Sequence, residues 1–173
     1  LDLSTALKQV HFPDDWEDLN KATYRLAFDE IFFLQLGVLQ QKYAWDQRTA
    51  RLFEASDDWI NAQLEQLPFE LTQAQQNALA DVRRDLVSGN PMNRLLQGDV
   101  GSGKTIVAAM AIAIVAKGEA QTAMMAPTSI LAEQHFHSLS KVLIEKAGFN
   151  PDDIRLMIGA TPEDEKESIR AGL

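Results

Sequence analysis

The chain has 173 residues, of which 46% are hydrophobic, and it carries a formal net charge of −9 at pH 7. This composition excludes a disordered or fibrous protein and predicts one globular domain with an appendage. The absence of cysteine excludes disulfides and thiolate metal sites, and no apolar run reaches the ~20 residues of a membrane span. Because it starts at Leu1 without a secretory signal, we expect a cytoplasmic protein cut from a longer chain, without a membrane partner.

The negative charge is unevenly distributed along the chain. Residues 1–70 carry 13 acidic and 6 basic side chains, residues 71–150 carry 6 and 7, and residues 151–173 carry 6 and 3. The central segment is therefore close to neutral. It has no basic stripe of the kind that indicates nucleic acid by electrostatics alone.

The first 67 residues predict helices. We expect a short helix over 4–10 capped by Ser4, a long helix over 14–43 and a third helix over 46–67. The middle of the long helix is apolar nearly all round, so it needs cover on more than one side. Its Asp29-Glu30 pair resembles the acidic motif that supports Mg²⁺ in phosphate-loop hydrolases, but it precedes the glycine loop and lies on a helix, so we reject it.

From residue 69 onward the pattern alternates between helices and short apolar strands. The predicted helices are 72–87, 104–117, 128–147 and 162–171, and the predicted strands are 92–97, 121–126 and 154–158. Strands separated by helices of this length predict an α/β fold with a parallel sheet. Ligands of such folds bind at the carboxyl ends of the strands.

The most specific motif is the phosphate-binding loop GDVGSGKT at residues 98–105. The glycines at 98, 101 and 103 let successive N–H groups converge on an anion, next to Ser102 and the positive end of the following helix. We expect Lys104 to contact the β- and γ-phosphates and the Thr105 hydroxyl to bind Mg²⁺. The sequence therefore predicts a nucleoside triphosphate site.

Two further positions have both a functional and a structural interpretation. The Gln75 carboxamide can read adenine through N6 and N7 and so select ATP over GTP, or it can be a plain surface residue beside an N-capping Thr72. Thr128 and Ser129, after Pro127, can hold a nucleic-acid phosphate at a helix start, or can simply cap that helix. The residues alone leave both questions open.

Taken together, these segments closely resemble the bacterial RecG ATP-dependent DNA helicases. The resemblance covers nearly the whole chain, and its motifs are HFP at 11–13, RLAFDE at 25–30, FELTQAQ at 69–75, PMNRLLQGDVGSGKT at 91–105 and MAPTSILAEQH at 125–135. The transcription-repair coupling motor is related, but an aromatic residue usually replaces Ser102 there and the His-Phe-Pro segment is not expected.

The resemblance implies a RecA-like parallel-sheet lobe, incomplete in this chain. Residues 1–68 would be the helical linker between the DNA-binding wedge and the motor, and residues 69–173 the N-terminal part of helicase domain 1. It implies a monomeric bacterial motor that uses ATP and Mg²⁺ to remodel replication forks and Holliday junctions in repair and recombination. The acidic hydrolysis motif and the second lobe would lie outside these residues, so the chain alone would turn over ATP poorly.

The resemblance also assigns the site residues. Gln75 would contact adenine, residues 101–105 would hold the phosphates and Mg²⁺, and Pro127 and Thr128 would contact the DNA backbone. Ser129 departs from the glutamate usual at its position, which leaves its role open.

The alternatives come from other classes of protein. A GTPase needs Asn/Thr-Lys-x-Asp, and the segment Asn20-Lys21-Ala22-Thr23 fails at its last position. A nucleotide kinase needs an arginine-rich lid after the loop, and residues 71–150 contain only 7 basic side chains. A non-enzymatic nucleotide-sensing module is the third alternative.

Overall fold

The computed structural model of the chain describes residues 1–145 and 147–172. It divides into two compact units, Leu1–Thr49 and Ala50–Leu173. The first unit ends before the predicted linker does at residue 68, and residues 50–68 belong to the second unit. Lys146, in the predicted helix 128–147, and Leu173, in the predicted domain 69–173, lie outside the described residues.

The first unit is a pair of helices, α1 (Leu3–His11) and α2 (Trp16–Asp46). Asp2, and not the predicted Ser4, caps α1, since its carboxylate accepts a hydrogen bond from the Thr5 N–H at 2.9 Å. Ala6 and Ala22 are both fully buried where the two helices pack. Their small side chains allow the backbones to approach closely.

The middle of α2 exposes most of its apolar side chains. The Phe28 and Phe32 rings stack at 5.9 Å, and Phe33 meets Phe32 edge-on. Each of these three rings is roughly half or more exposed. The long helix predicted over 14–43 is confirmed, and Asp29 and Glu30 do lie on it.

The second unit contains five α-helices among its described residues, and most are close to their predicted positions. They are α3 (Asp57–Glu65), α4 (Gln73–Leu86), α5 (Lys104–Lys117), α6 (Ser129–Glu145) and α7 (Glu163–Ala171), with one 3-10 turn at Pro151–Asp153. Thr72 is the N-cap of α4, as one of its two interpretations proposed. Because α5 keeps an apolar face towards both neighbours, it forms the centre of the core.

The core of the second unit consists of two adjoining clusters, and both include residues of α5. In the first cluster Ile106, Met110 and Ile114 pack with Leu79 and Val82 of α4. In the second cluster Ala109 and Ala113 pack with Leu139 and Leu143 of α6. The buried helix predicted over 104–117 is confirmed.

The predicted third helix over 46–67 is wrong in its first half. Residue 46 ends α2, and residues 47–56 are not helical. The Phe53 N–H donates to the Leu86 carbonyl at 3.0 Å and the Ala50 N–H to the Gly89 carbonyl at 2.7 Å. These bonds to distant residues replace the local bonds that a helix would need, and α3 begins only after its cap, Ser56.

The predicted strands are not assigned as strands anywhere in residues 1–145 and 147–172. The segments 92–97, 121–126 and 154–158 lack regular secondary structure, and Leu95 and Met125 are 86% and 93% exposed. The parallel sheet therefore stays a prediction. No helix in the described part of the chain is long and apolar enough to cross a membrane.

Candidate nucleotide-binding site

The glycine loop lies where the sequence predicts it, immediately before α5. Gly101 and Gly103 have φ angles of 80° and 78°, in the left-handed region that favours glycine. Gly103 is the N-cap of α5 and makes no side-chain capping bond. The start of α5 thus relies on no side-chain cap, an arrangement suited to an anionic ligand.

Two of the loop glycines also lie close to neighbouring side chains. A Cβ at Gly98 would come within 2.7 Å of the Ser102 hydroxyl oxygen. A Cβ at Gly103 would collide with the side-chain nitrogen of Gln75, whereas one at Gly101 would meet nothing within 4 Å. Gly101 and Gly103 are therefore both favoured by their backbone angles, and a side chain at Gly103 would in addition force the Gln75 amide to move.

Lys104 folds over the loop. Its ammonium group donates to the carbonyl oxygens of Gly98 at 2.9 Å and Asp99 at 2.7 Å, and it lies 3.5 Å from the Ser102 hydroxyl. The positive charge is thus held against the loop itself. On binding a phosphate, the ammonium group would exchange these carbonyl oxygens for charged phosphate oxygens, which are its stronger partners.

Gln75 connects α4 to the loop. Its side-chain oxygen accepts from the Thr72 N–H at 2.9 Å, and the Thr72 hydroxyl accepts from the Gln75 N–H, which completes a capping box. Its Nε2 donates to the Ser102 carbonyl at 2.9 Å. The structure therefore brings Gln75 to the phosphate loop, a contact beyond the predicted role in reading adenine.

Arg94 is a site-adjacent residue that sequence reasoning missed. Its guanidinium makes two hydrogen bonds to Asp85, at 2.6 and 3.0 Å, and a third to Asp81 at 3.3 Å. The available signal was the spacing of Asp81 and Asp85, which lie one helical turn apart on α4. Arg94 thereby fastens the segment that leads into the glycine loop to α4.

The same pair predicts a pH dependence. The hydrogen bond from Arg94 lowers the pKa of Asp85, aided by the charges of Arg94 and Arg84 and opposed by partial burial. A depressed pKa in the folded state stabilises the protein above the usual aspartate value of about 3.9, and this contribution disappears as the pH falls through the lowered pKa. We expect the difference in unfolding free energy between wild type and Arg94→Met to narrow below about pH 4. Denaturant titrations of both proteins at a series of pH values measure this difference. A difference in unfolding free energy that grows as the pH falls would contradict the prediction.

Thr105 and the predicted DNA contacts lie at two helix starts. Thr105 is half-buried in the first turn of α5. Thr128 precedes α6, and its hydroxyl accepts from the Leu131 N–H at 3.3 Å, which is capping geometry. Pro127, Thr128 and Ser129 are all exposed. No group of three or more potential metal-binding side chains converges within residues 1–145 and 147–172.

Comparison with known proteins identifies the family. The profile of the DEAD/DEAH box helicases matches residues 72–171. The ATP-dependent DNA helicases RecG of Synechocystis sp. and Thermotoga maritima are 48% and 42% identical over 80% and 100% of this chain, and that of Aquifex aeolicus is 38% identical over 97%. The chain spans 17% to 22% of the length of these relatives.

A solved structure adds the fold. The structure of RecG bound to a three-way DNA junction matches with a TM-score of 0.77 and 42% identity, over 97% of this chain and 22% of that one. The likeness supports a RecA-like helicase fold, although no strand is assigned in the described residues. The chain belongs to the DEAD/DEAH box helicase family and is of the RecG type.

Proposed function

We propose that this chain is the ATP-binding portion of a DNA helicase or translocase that remodels replication forks and Holliday junctions. The observation that carries the proposal is the start of α5, where Gly103 adopts a left-handed angle without a side-chain cap and Lys104 lies over the same loop. The names of the relatives support ATP-dependent helicase activity. The junction-bound relative supports branched DNA as the partner.

The residues present fit a triphosphate with Mg²⁺. The left-handed angles of Gly101 and Gly103 shape the loop just before α5, and its backbone N–H groups together with Lys104 would bind the phosphates. The Thr105 hydroxyl stands in the first turn of α5, and Mg²⁺ habitually uses one or two protein ligands beside substrate phosphates. ATP with Mg²⁺ would supply the phosphoryl chemistry, and these residues would bind and orient it.

The remaining assignments follow from the same proposal. Residues 1–68 serve as the linker between wedge and motor, and residues 69–173 as the first part of helicase domain 1, whose parallel sheet includes the segments 92–97, 121–126 and 154–158. Pro127 and Thr128 contact the DNA backbone from the start of α6, where helix N–H groups favour phosphate. The protein acts as a monomeric motor in the bacterial cytoplasm.

Gln75→Ala tests the adenine-reading role. A two-pronged contact to a base is worth about 1–3 kcal/mol, so we expect the ratio of ATP to GTP affinity to fall by about fivefold or more. Fluorescence titration of both nucleotides against the purified protein measures this ratio. Gln73→Ala is the matched control, because Gln73 pairs with Asn77. An unchanged ratio in Gln75→Ala would leave Gln75 with its structural bonds alone.

The whole activity has its own test. ATP hydrolysis by the full-length protein that contains this chain is measured with a three-way junction, with linear duplex and without DNA. We expect the junction to stimulate hydrolysis most strongly. If the protein binds nucleotide but hydrolyses ATP at the same rate in all three conditions, the result would favour the nucleotide-sensing alternative over the motor.

A further inference from the structure

We propose that Arg94 is a positioning residue that fixes α4, and with it Gln75, relative to the glycine loop, and thereby sets the base preference of the nucleotide site. The inference rests on the proposed ATP site and deepens it. Arg94 itself need not touch nucleotide. It acts through the segment between its own position and Gly98.

Helix α4 is attached to the glycine-loop segment at two points. Near its N-terminus, the Gln75 Nε2 donates to the Ser102 carbonyl. Towards its C-terminus, Asp81 and Asp85 accept from Arg94. Gln75 and Asp85 are ten residues apart, or about 15 Å along a helix. Two attachments so widely separated oppose both rotation and sliding of α4 against the loop.

The hydrogen bonds between Arg94 and α4 have favourable geometry. The bond from Nε and the bond from Nη2 reach the two oxygens of Asp85 in a fork, the geometry in which arginine and carboxylate are best matched. Asp81, one turn away, receives the remaining contact. Arg94 and Asp85 are only 33% and 27% exposed as side chains. These three bonds tether the chain at residue 94 to α4 within the reach of one arginine side chain.

The segment that connects Arg94 to the glycine loop is short. Arg94 precedes Gly98 by four residues, which span at most roughly 13 Å of extended chain. The Gly98 and Asp99 carbonyls then accept from Lys104. Arg94 therefore ties α4 to the segment that leads into the loop, while Lys104 holds the loop carbonyls in place by itself. Arg94 fixes the entry to the loop while Gln75 contacts its far side at Ser102.

Arg94 contributes to the alignment of α4 more than to the stability of the fold. Partly exposed ion pairs contribute little to the free energy of unfolding, and Leu79 and Val82 keep α4 in the core without Arg94. Losing Arg94 should therefore leave the fold intact and loosen only the alignment. The part of the site that depends on α4 is Gln75, whereas the phosphate-binding N–H groups belong to the loop and α5.

The test measures three affinities of the purified protein, for ATP, GTP and inorganic tripolyphosphate, in wild type and Arg94→Met. We expect the ratio of ATP to GTP affinity to fall by about fivefold, while tripolyphosphate affinity changes by less than about twofold. Arg84→Met is the matched control, since Arg84 pairs with Asp81 at 2.9 Å without joining α4 to the loop segment. Its ratio should equal that of wild type. Arg94→Lys should give an intermediate ratio, because lysine lacks the fork.

A double-variant cycle with Asp85→Asn guards against a variant that folds poorly. If Arg94 and Asp85 act as one pair, Asp85→Asn alone should lower the ratio of ATP to GTP affinity. Adding Arg94→Met to that variant should lower the ratio little further. Equal ratios in wild type, Arg94→Met and Asp85→Asn would overturn the inference and leave the proposed ATP site standing. A parallel loss of all three affinities would also overturn it, as a merely structural role. A wild type without preference for ATP would remove both this inference and the adenine assignment.

Discussion

Lys104→Ala is expected to lower ATP affinity by on the order of a hundredfold, because removing one partner of a close charge pair typically costs about 2–5 kcal/mol. The lysine ammonium lies over the loop carbonyls at 2.7 and 2.9 Å, and no other basic side chain belongs to the motif GDVGSGKT. Isothermal titration of ATP into the purified protein measures the loss. The unfolding midpoint should change little, because Lys104 is not among the core residues.

The matched control for that experiment is Lys117→Ala. Lys117 has the same side chain at the opposite end of α5, where its ammonium stands 5.7 Å from the centre of the Trp59 ring. ATP affinity should be unchanged in this variant. If Lys104→Ala bound ATP as tightly as Lys117→Ala, the phosphate-loop assignment would be wrong.

Gly103→Ala is expected to damage both the fold of the loop and its ligand affinity. A left-handed φ costs a residue with a Cβ about 1–2 kcal/mol, and the new methyl group would also collide with Nε2 of Gln75. The bond from Gln75 to Ser102 would then break. We expect at least about a tenfold loss of ATP affinity, measured by the same titration, together with a lower unfolding midpoint.

Gly101→Ala separates the two causes. Gly101 has the same left-handed angle, but a methyl group there would meet open space. Its stability loss should therefore be the smaller of the two, with the difference reporting the collision at Gly103. Equal losses in both variants would mean that Gln75 moves aside without cost and that its contact with the loop is weak.

The elements that could be predicted from the sequence are those that neighbouring residues in the chain determine. The helix over 104–117 was found with its observed bounds because an uninterrupted apolar run begins at the loop and ends before Gly118. Thr72 was recognised as a possible cap from its type and position. The loop glycines were assigned from the motif, and their angles agree at Gly101 and Gly103.

The features that the sequence did not predict depend on distant residues. Residues 47–56 have ordinary helical composition, but Phe53 bonds to Leu86 and Ala50 to Gly89, and no local pattern contains those partners. The contact of Gln75 with Ser102 spans 27 residues of sequence. The strand predictions have the same weakness, since a strand exists only when another segment pairs with it.

The two-sided burial of α5 has a thermodynamic consequence. A helix without a polar face is unstable in water by itself, so the anion-binding turn at its start persists only while both α4 and α6 remain docked. Any ligand held at that turn binds the native chain and not the denatured one. Ligand binding therefore raises the free energy of unfolding of the second unit. More heat or denaturant is then needed to separate its helices than in the absence of ligand.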